Sequence, residues 1–253
     1  MLRLEPALIV IGLALVAGTK SYADAAASKA REARPLENTP QVERFIHSTV
    51  TIQRASALGN KTSVGAGVFI KADYGHPAWI LTASHVVEAL NGSVGYIKVY
   101  NGTPQGIPLR VRILDVNDDY DLAVLATEDA WRGKAVAVQV ASMPPKRGEQ
   151  VLAIGAPNGI DWNVSSGVIS NQTPCANSVG ACYRTDATLT FGNSGGGVFN
   201  AKSELVGIAA YVRIDQVTDA RGAVHSIVVD GNNGVVALDT LRTYMSTLRA
   251  STQ

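Results

Sequence analysis

An all-β fold is predicted for this chain, and three observations carry the prediction. Twelve short apolar runs, many of them rich in Val, Ile and Thr, recur from residue 48 onward between Gly, Asn and Asp. Branched side chains suit a pleated sheet, and Gly, Asn and Asp supply its turns. The 253 residues include 24 Gly, and stretches with a helical apolar period are few. Many short strands with little helix indicate a sandwich or a barrel.

Composition narrows the function classes. Hydrophobic residues are 46% and charged residues 17%, which excludes disorder over most of the length. Lys+Arg is 22 and Asp+Glu is 21, so general electrostatic attraction to nucleic acid is excluded. Two Cys exclude a disulfide-dense scaffold and a Cys-rich zinc module.

The elements follow in chain order. Residues 7–18 (ALIVIGLALVAG) are an unbroken apolar run after Arg3. The run is shorter than the ~20 residues that cross a bilayer and suits the core of a secretory signal. The predicted signal is 1–23, cut after Ala23 with Ala25 as second site; a buried helix or uncleaved anchor is the alternative. Its removal leaves a neutral chain working outside the cytoplasm, secreted or periplasmic, with no stable membrane span.

Residues 24–41 hold small and charged residues with two prolines and are predicted as a flexible or partly helical arm. The folded domain is predicted over 42–250. Its first half carries STVTIQ, GAGVFI, AWILTA, GYIKVY, LRVRILDV and LAVLAT, with one short helix starting at His85. A connector around 133–149 contains Pro144-Pro145 and divides the halves, about 45–132 and about 146–238. The second half carries QVLAIGA, SSGVIS, GGGVFN, LVGIAAYV, SIVVD and GVVALD. A closing helix places Leu238, Leu241, Met245 and Leu248 on one face.

The chemistry centres on Ser194 in Phe191-Gly192-Asn193-Ser194-Gly195-Gly196-Gly197. A serine hydroxyl needs a base to take its proton and N–H groups aimed at the developing oxyanion. GNSGG matches G-x-S-x-G, but that elbow demands a helix after the serine, and here strand, turn and strand follow. His85 follows an apolar run, and Asp121 opens the run 122–125. An acid at the start of a buried strand can hold an imidazole in one tautomer. Asp115, Asp118 and Asp119 are rival acids, but none directly precedes that run; His47, His76 and His225 lack comparable context. The order His85, Asp121, Ser194 is that of a double barrel of chymotrypsin type.

With these stretches in hand, the sequence resembles the trypsin-like serine peptidases of the HtrA/Deg type. The resembling segments are GAGVFI (65–70), WILTASHVVEAL (79–90), NDDYDLAVL (117–125), AIGAPNGIDWNVSSGVIS (153–170), TDATLTFGNSGGGVFN (185–200) and LVGIAAY (205–211). The resemblance implies two six-stranded β-barrels with the site between them. It implies His85 as general base, Asp121 as its orienter, Ser194 as nucleophile, and the N–H groups of Gly192 and Ser194 as oxyanion hole. It places Thr188, Ala209, Ala210 and Tyr211 around the primary specificity pocket. No cofactor or metal is implied, and the expected partners are polypeptide substrates.

Three features depart from the family, the stretch Cys175–Cys182 being one. Gly197 stands where it usually has proline, and no residues remain for the PDZ domain many members carry. The family's frequent trimers are not carried over, because residues 24–45 differ. Serine endopeptidase is the predicted function. A silent peptide-binding double barrel and an esterase with the same triad are the alternatives.

Cys175 and Cys182 enclose a tight polar loop, which an oxidising compartment would close as a disulfide; two reduced thiols are the alternative. So short a closed loop contributes about 2–2.5 kcal/mol in the chain-entropy model.

Overall fold

The computed structural model describes residues 39–70, 79–93, 95–127, 136–176, 178–219 and 221–251, with backbone alone at 212–217, 226–232 and 249–251. The predicted signal 1–23 and nearly all of the arm 24–41 lie outside them. Six strands close the first barrel: β1 (Thr49–Ala55), β2 (Lys61–Ile70), β3 (Trp79–Thr82), β4 (Gly95–Val99), β5 (Ile107–Asn117) and β6 (Leu122–Thr127). Their order around it is β1-β2-β3-β6-β5-β4.

After a short β7 (Gln139–Val140) come β8 (Gln150–Gly155), β9 (Asn163–Pro174), β10 (Ala181–Thr185), β11 (Gly197–Asn200), β12 (Glu204–Thr218) and β13 (Val224–Ala237). These six run in the order β11-β8-β9-β10-β13-β12, and pairing of β11 with β12 closes the second barrel. β7 adds to β12 as a parallel outer strand. The fold is therefore two six-stranded barrels, as expected.

Alternation is plain in β4: Gly95, Ile97 and Val99 face inward while Tyr96 and Lys98 are half-exposed. Inward residues build three cores. Val50, Ile52, Phe69, Ile80, Ile97 and Leu125 fill barrel one. Val151, Ile169, Tyr183, Val198, Val206 and Val235 fill barrel two. The third core lies on the seam and joins Val68, Leu81 and Leu122 to Phe199, Ile208 and Val236.

Among the described residues three α-helices accompany the strands. The sequence reading did not anticipate α1 (Pro40–Ser48). Its signals are local: Thr39 caps Val42 N–H, Pro40 occupies the first turn, and Glu43 pairs with His47 at 3.4 Å. Its Phe45 ring stacks on Phe199, with centroids 4.3 Å apart. α2 (Ser84–Glu88) begins one residue before His85. α3 (Leu238–Ser251) buries Leu238, Leu241 and Leu248, with Met245 packed against the same core. Among the described residues no helix is long and apolar enough to cross a membrane.

The strand list also needs correction. β7 and β10 were absent from the twelve runs, and the last two runs belong to one strand, β13. Between them the register jumps from Tyr211↔Gly234 to Arg213↔Val229, so the Gly- and Asn-rich segment forms a bulge rather than a turn. The buried Asn233 amide there donates to Ala187 carbonyl at 2.9 Å.

Candidate active site

Asp121 ends the turn between β5 and β6, and its backbone adopts φ +51°, a region uncommon outside glycine. Within the turn Asp121 N–H donates to Asp118 carbonyl at 3.2 Å and Tyr120 N–H to Asn117 Oδ1 at 3.1 Å. This geometry brings the carboxylate under the start of α2. There it accepts from Ser84 Oγ at 3.1 Å and His85 N–H at 3.2 Å. The His85 Nδ1 lies 2.8 and 3.0 Å from its two oxygens. A carboxylate only accepts, so Nδ1 carries a proton, and in the neutral ring Nε2 is the nitrogen that holds the lone pair. The histidine side chain is 42% exposed against 19% for the aspartate, so the imidazole meets solvent while its partner is shielded.

The serine segment rests on both barrels. Ser194 carbonyl accepts from Ala66 N–H of β2 at 2.8 Å, and Gly195 N–H donates to Ala209 carbonyl of β12 at 2.7 Å. Two glycines are obligatory here. Gly192 has φ +98° and a Cβ on it would lie 2.2 Å from Ala156 carbonyl oxygen; Gly195 has φ +81° and would meet Ala66 and Thr82 oxygens at 2.2 Å. Ser194 Oγ donates to Ala210 carbonyl at 3.4 Å, a long bond, and among the described residues none joins it to His85. Catalytic hydrogen bonds are often loose until substrate is bound.

Peptide planarity orients two further groups. Phe191 carbonyl accepts Asn158 N–H at 2.8 Å, and Asn193 carbonyl accepts Gly196 N–H at 2.9 Å. In a trans peptide the N–H points opposite to the carbonyl. The N–H groups of Gly192 and Ser194 are thus turned the other way, and neither donates to another described residue.

His85, Asp121, Gly192 and Ser194 all line one open cleft of about 750 Å³. Ala210 and Tyr211 line it too, whereas Thr188 and Ala209 do not; Thr190 and Phe191 lie there instead. Thr188 is an exposed residue whose carbonyl accepts Ser165 Oγ, and Ala209 is spent on holding Gly195. Alternation along the segment, visible only once Ala187 and Leu189 are seen to be buried, is what turns Thr188 outward. The Tyr211 ring lies against Gly234, where a Cβ would come within 2.1 Å of it, and beneath the Arg184 guanidinium at 5.1 Å. The charged groups of the cleft are Glu88, Asp118 and Asp121.

The rival residues have other partners. Asp115 accepts the Tyr244 hydroxyl at 2.8 Å, His47 pairs with Glu43, and His225 lies 3.0 Å from Asp219; His76 is outside the described residues. Cys175 and Cys182 form a disulfide. Among the described residues no group of three or more His, Cys, Asp or Glu is placed to hold a metal. Asn158, whose N–H fixes the Phe191 carbonyl, was not singled out from the sequence, since only its backbone participates.

Comparison with known proteins sets this geometry in context. The family described as trypsin-like peptidase domain matches residues 65–208. A DegP-like periplasmic serine endoprotease of Pseudomonas putida is 30% identical over 186 residues, covering 70% of this chain and 36% of that protein. Another, from a Marinomonas species, is 29% identical over 164 residues, covering 61% and 31%. The chain thus spans about a third of the length of these relatives. Among solved structures, the HtrA-type protease AlgW bound to a decapeptide superposes with a TM-score of 0.62 at 19% identity, over 83% of this chain and 66% of that one. That likeness is one of fold, while the family match spans more than half of the sequence and includes His85, Asp121 and Ser194: the chain belongs to the trypsin-like peptidase family.

Proposed function

We propose that this protein is a serine endopeptidase that cleaves polypeptides through an acyl-enzyme on Ser194. The carrying observation is the His85 ring, fixed through Nδ1 on Asp121 with its opposite edge free, in the same cleft as Ser194. Ser194 Oγ attacks the scissile carbonyl carbon while His85 Nε2 takes its proton. The tetrahedral oxyanion is met by the N–H groups of Gly192 and Ser194. Collapse expels the amine, which receives the proton from His85, and water repeats the cycle on the ester. Asp121 holds the tautomer and stabilises the imidazolium. No metal or cofactor takes part in this scheme.

Ala210, Tyr211, Thr190 and Phe191 supply no positive or negative charge to a substrate side chain. With the Tyr211 ring closing against Gly234, the preferred residue at the cleaved position is small or medium and apolar, such as Ala, Val or Leu. The leader-like start of the sequence and the periplasmic relatives support action in the periplasm or outside the cell.

The test is labelling with a fluorophosphonate, comparing the chain with Ser194→Ala. Label on Ser194 and none on the variant is the expected outcome, and folded protein that takes no label at Ser194 overturns the reading. Turnover of a peptide should fall by about 10⁶ in Ser194→Ala or His85→Ala. A peptide library should rank apolar residues first; dominant Lys or Arg preference would show that the pocket lies elsewhere.

A further inference from the structure

The turn that carries Asp121 is held from the other barrel by a loop that the resemblance did not include. The loop runs from Cys175 to Cys182, at the junction of β9 and β10. Its base is fixed three times. Cys182 is fully buried in the seam core with Cys175 and Tyr120 packed there too. Cys182 also pairs with Val236 of β13. Thr240, in the first turn of α3, accepts Ala181 N–H at 2.9 Å and donates to Ala181 carbonyl at 3.1 Å. Gly180 presses on the same threonine with φ +104°, where a Cβ would fall 2.5 Å from its oxygen. From this base the tip crosses the seam, and Val179 N–H donates to Asp119 carbonyl. Among the described residues this is the one backbone bond from barrel two to the Asp118–Asp121 turn. Asp119 is two residues from the acid and within the same tight turn.

We propose that the Cys175–Cys182 loop is a positioning element for the catalytic acid, acting through the Val179 N–H on the Asp119 carbonyl. The inference rests on the peptidase reading above. The disulfide restricts the tip to the geometry in which that N–H meets the turn. The turn in turn sets the distance of the Asp121 carboxylate from His85. Opening the bridge needs a dithiol, which gives two electrons and two protons to the Sγ–Sγ bond and itself becomes a disulfide. The two thiols left behind no longer confine the tip, and misplacement near 1 Å at a reacting group costs about 100-fold.

The test uses the full chain in four forms: wild type, Val179→Pro, Val179→Ala, and Cys175→Ala with Cys182→Ala. Sites are counted with the fluorophosphonate, so rates refer to competent enzyme. Peptide hydrolysis then gives kcat and KM separately. Val179→Pro and the double cysteine variant are expected to lose about tenfold or more in kcat with KM changed less than about twofold. Val179→Ala keeps the N–H and should retain the wild-type kcat. Should Val179→Pro fail to fold, wild type treated with dithiothreitol gives the same comparison with the cysteine variant. Wild-type kcat in the folded variants, a loss carried by KM rather than kcat, or a loss confined to the number of sites, overturns the proposal. A wild type that takes no label at Ser194 sinks the peptidase reading itself, a distinguishable result.

Discussion

Asp121 shows how much a single side chain is asked to do. Its carboxylate serves Ser84, the His85 amide and the His85 ring from a backbone conformation that costs a non-glycine residue about 1–3 kcal/mol. Asp121→Asn offers the ring a donor where an acceptor stood and favours the wrong tautomer. Peptide turnover should fall by about 10⁴, with the fold intact by circular dichroism. Asn193 carries a different message. Trypsin-like zymogens place an aspartate there to pair with a new N-terminal amine; here a neutral amide, 7% exposed, sits against Gly155. Asn193→Asp would bury a carboxylate without a cation, at about 3–5 kcal/mol while ionised, so urea denaturation at pH 8 should show a large loss that shrinks in acid. His85, Asp121 and Ser194 were legible in the sequence because each adjoins an apolar run or a glycine cluster. Thr188 was misplaced, and Asn158 went unseen, because their positions depend on strand phase and backbone direction, which no residue type announces.

At the level of elements, Gly197 at the head of β11 illustrates packing that overrides a family habit. A Cβ there would come within 2.4 Å of the Phe199 ring, which stacks on Phe45. Gly197→Ala should therefore cost about 1–3 kcal/mol by overpacking, read from the urea midpoint. α3 is tied to barrel one by Tyr244, fully buried, whose hydroxyl reaches Asp115. Burial, then the Asp115 hydrogen bond and charge, push this phenol well above its ordinary value; burial does the same to Tyr183. A folded pKa above the unfolded one gives stability that is complete below about pH 10 and lost as pH rises beyond it. Tyr244→Phe should lower stability by about 1 kcal/mol at neutral pH and flatten the alkaline decline, measured by denaturation across pH. Short apolar runs bounded by turn residues disclosed most strands. β7 escaped because it is two residues long, β10 because its neighbours are a glycine and a disulfide loop, and β13 was divided because a bulge and a turn share the same residues.

Over the whole molecule, two barrels were legible from the number and spacing of short runs together with the family resemblance. The seam was not, since its contacts join residues far apart in sequence. One of its braces is Asp161, before β9. It accepts Thr51 Oγ1 of β1 at 2.6 Å and Lys98 Nζ of β4 at 2.6 Å. Beside it Trp162 Nε1 donates to Thr49 carbonyl at 3.1 Å. Lys98 and Asp161 side chains are 22% and 13% exposed, so the pair is partly shielded from solvent. Asp161→Ala leaves the ammonium unmatched and should cost about 1–3 kcal/mol; a change below about 0.5 in the urea-derived stability would show that the charges are solvated after all.

The stacking of Phe45 on Phe199 has a consequence for how the chain comes into being. A ribosome or a secretion channel delivers the polypeptide from its amino end, and early domains can fold while the rest is still arriving. Here the first described helix cannot find its partner ring until the strand after Ser194 has emerged. The same delivery brings the His85–Asp121 pair out long before the serine. Barrel one therefore waits with an apolar face uncovered, and the His85–Asp121 pair meets Ser194 only once the last third of the chain has arrived.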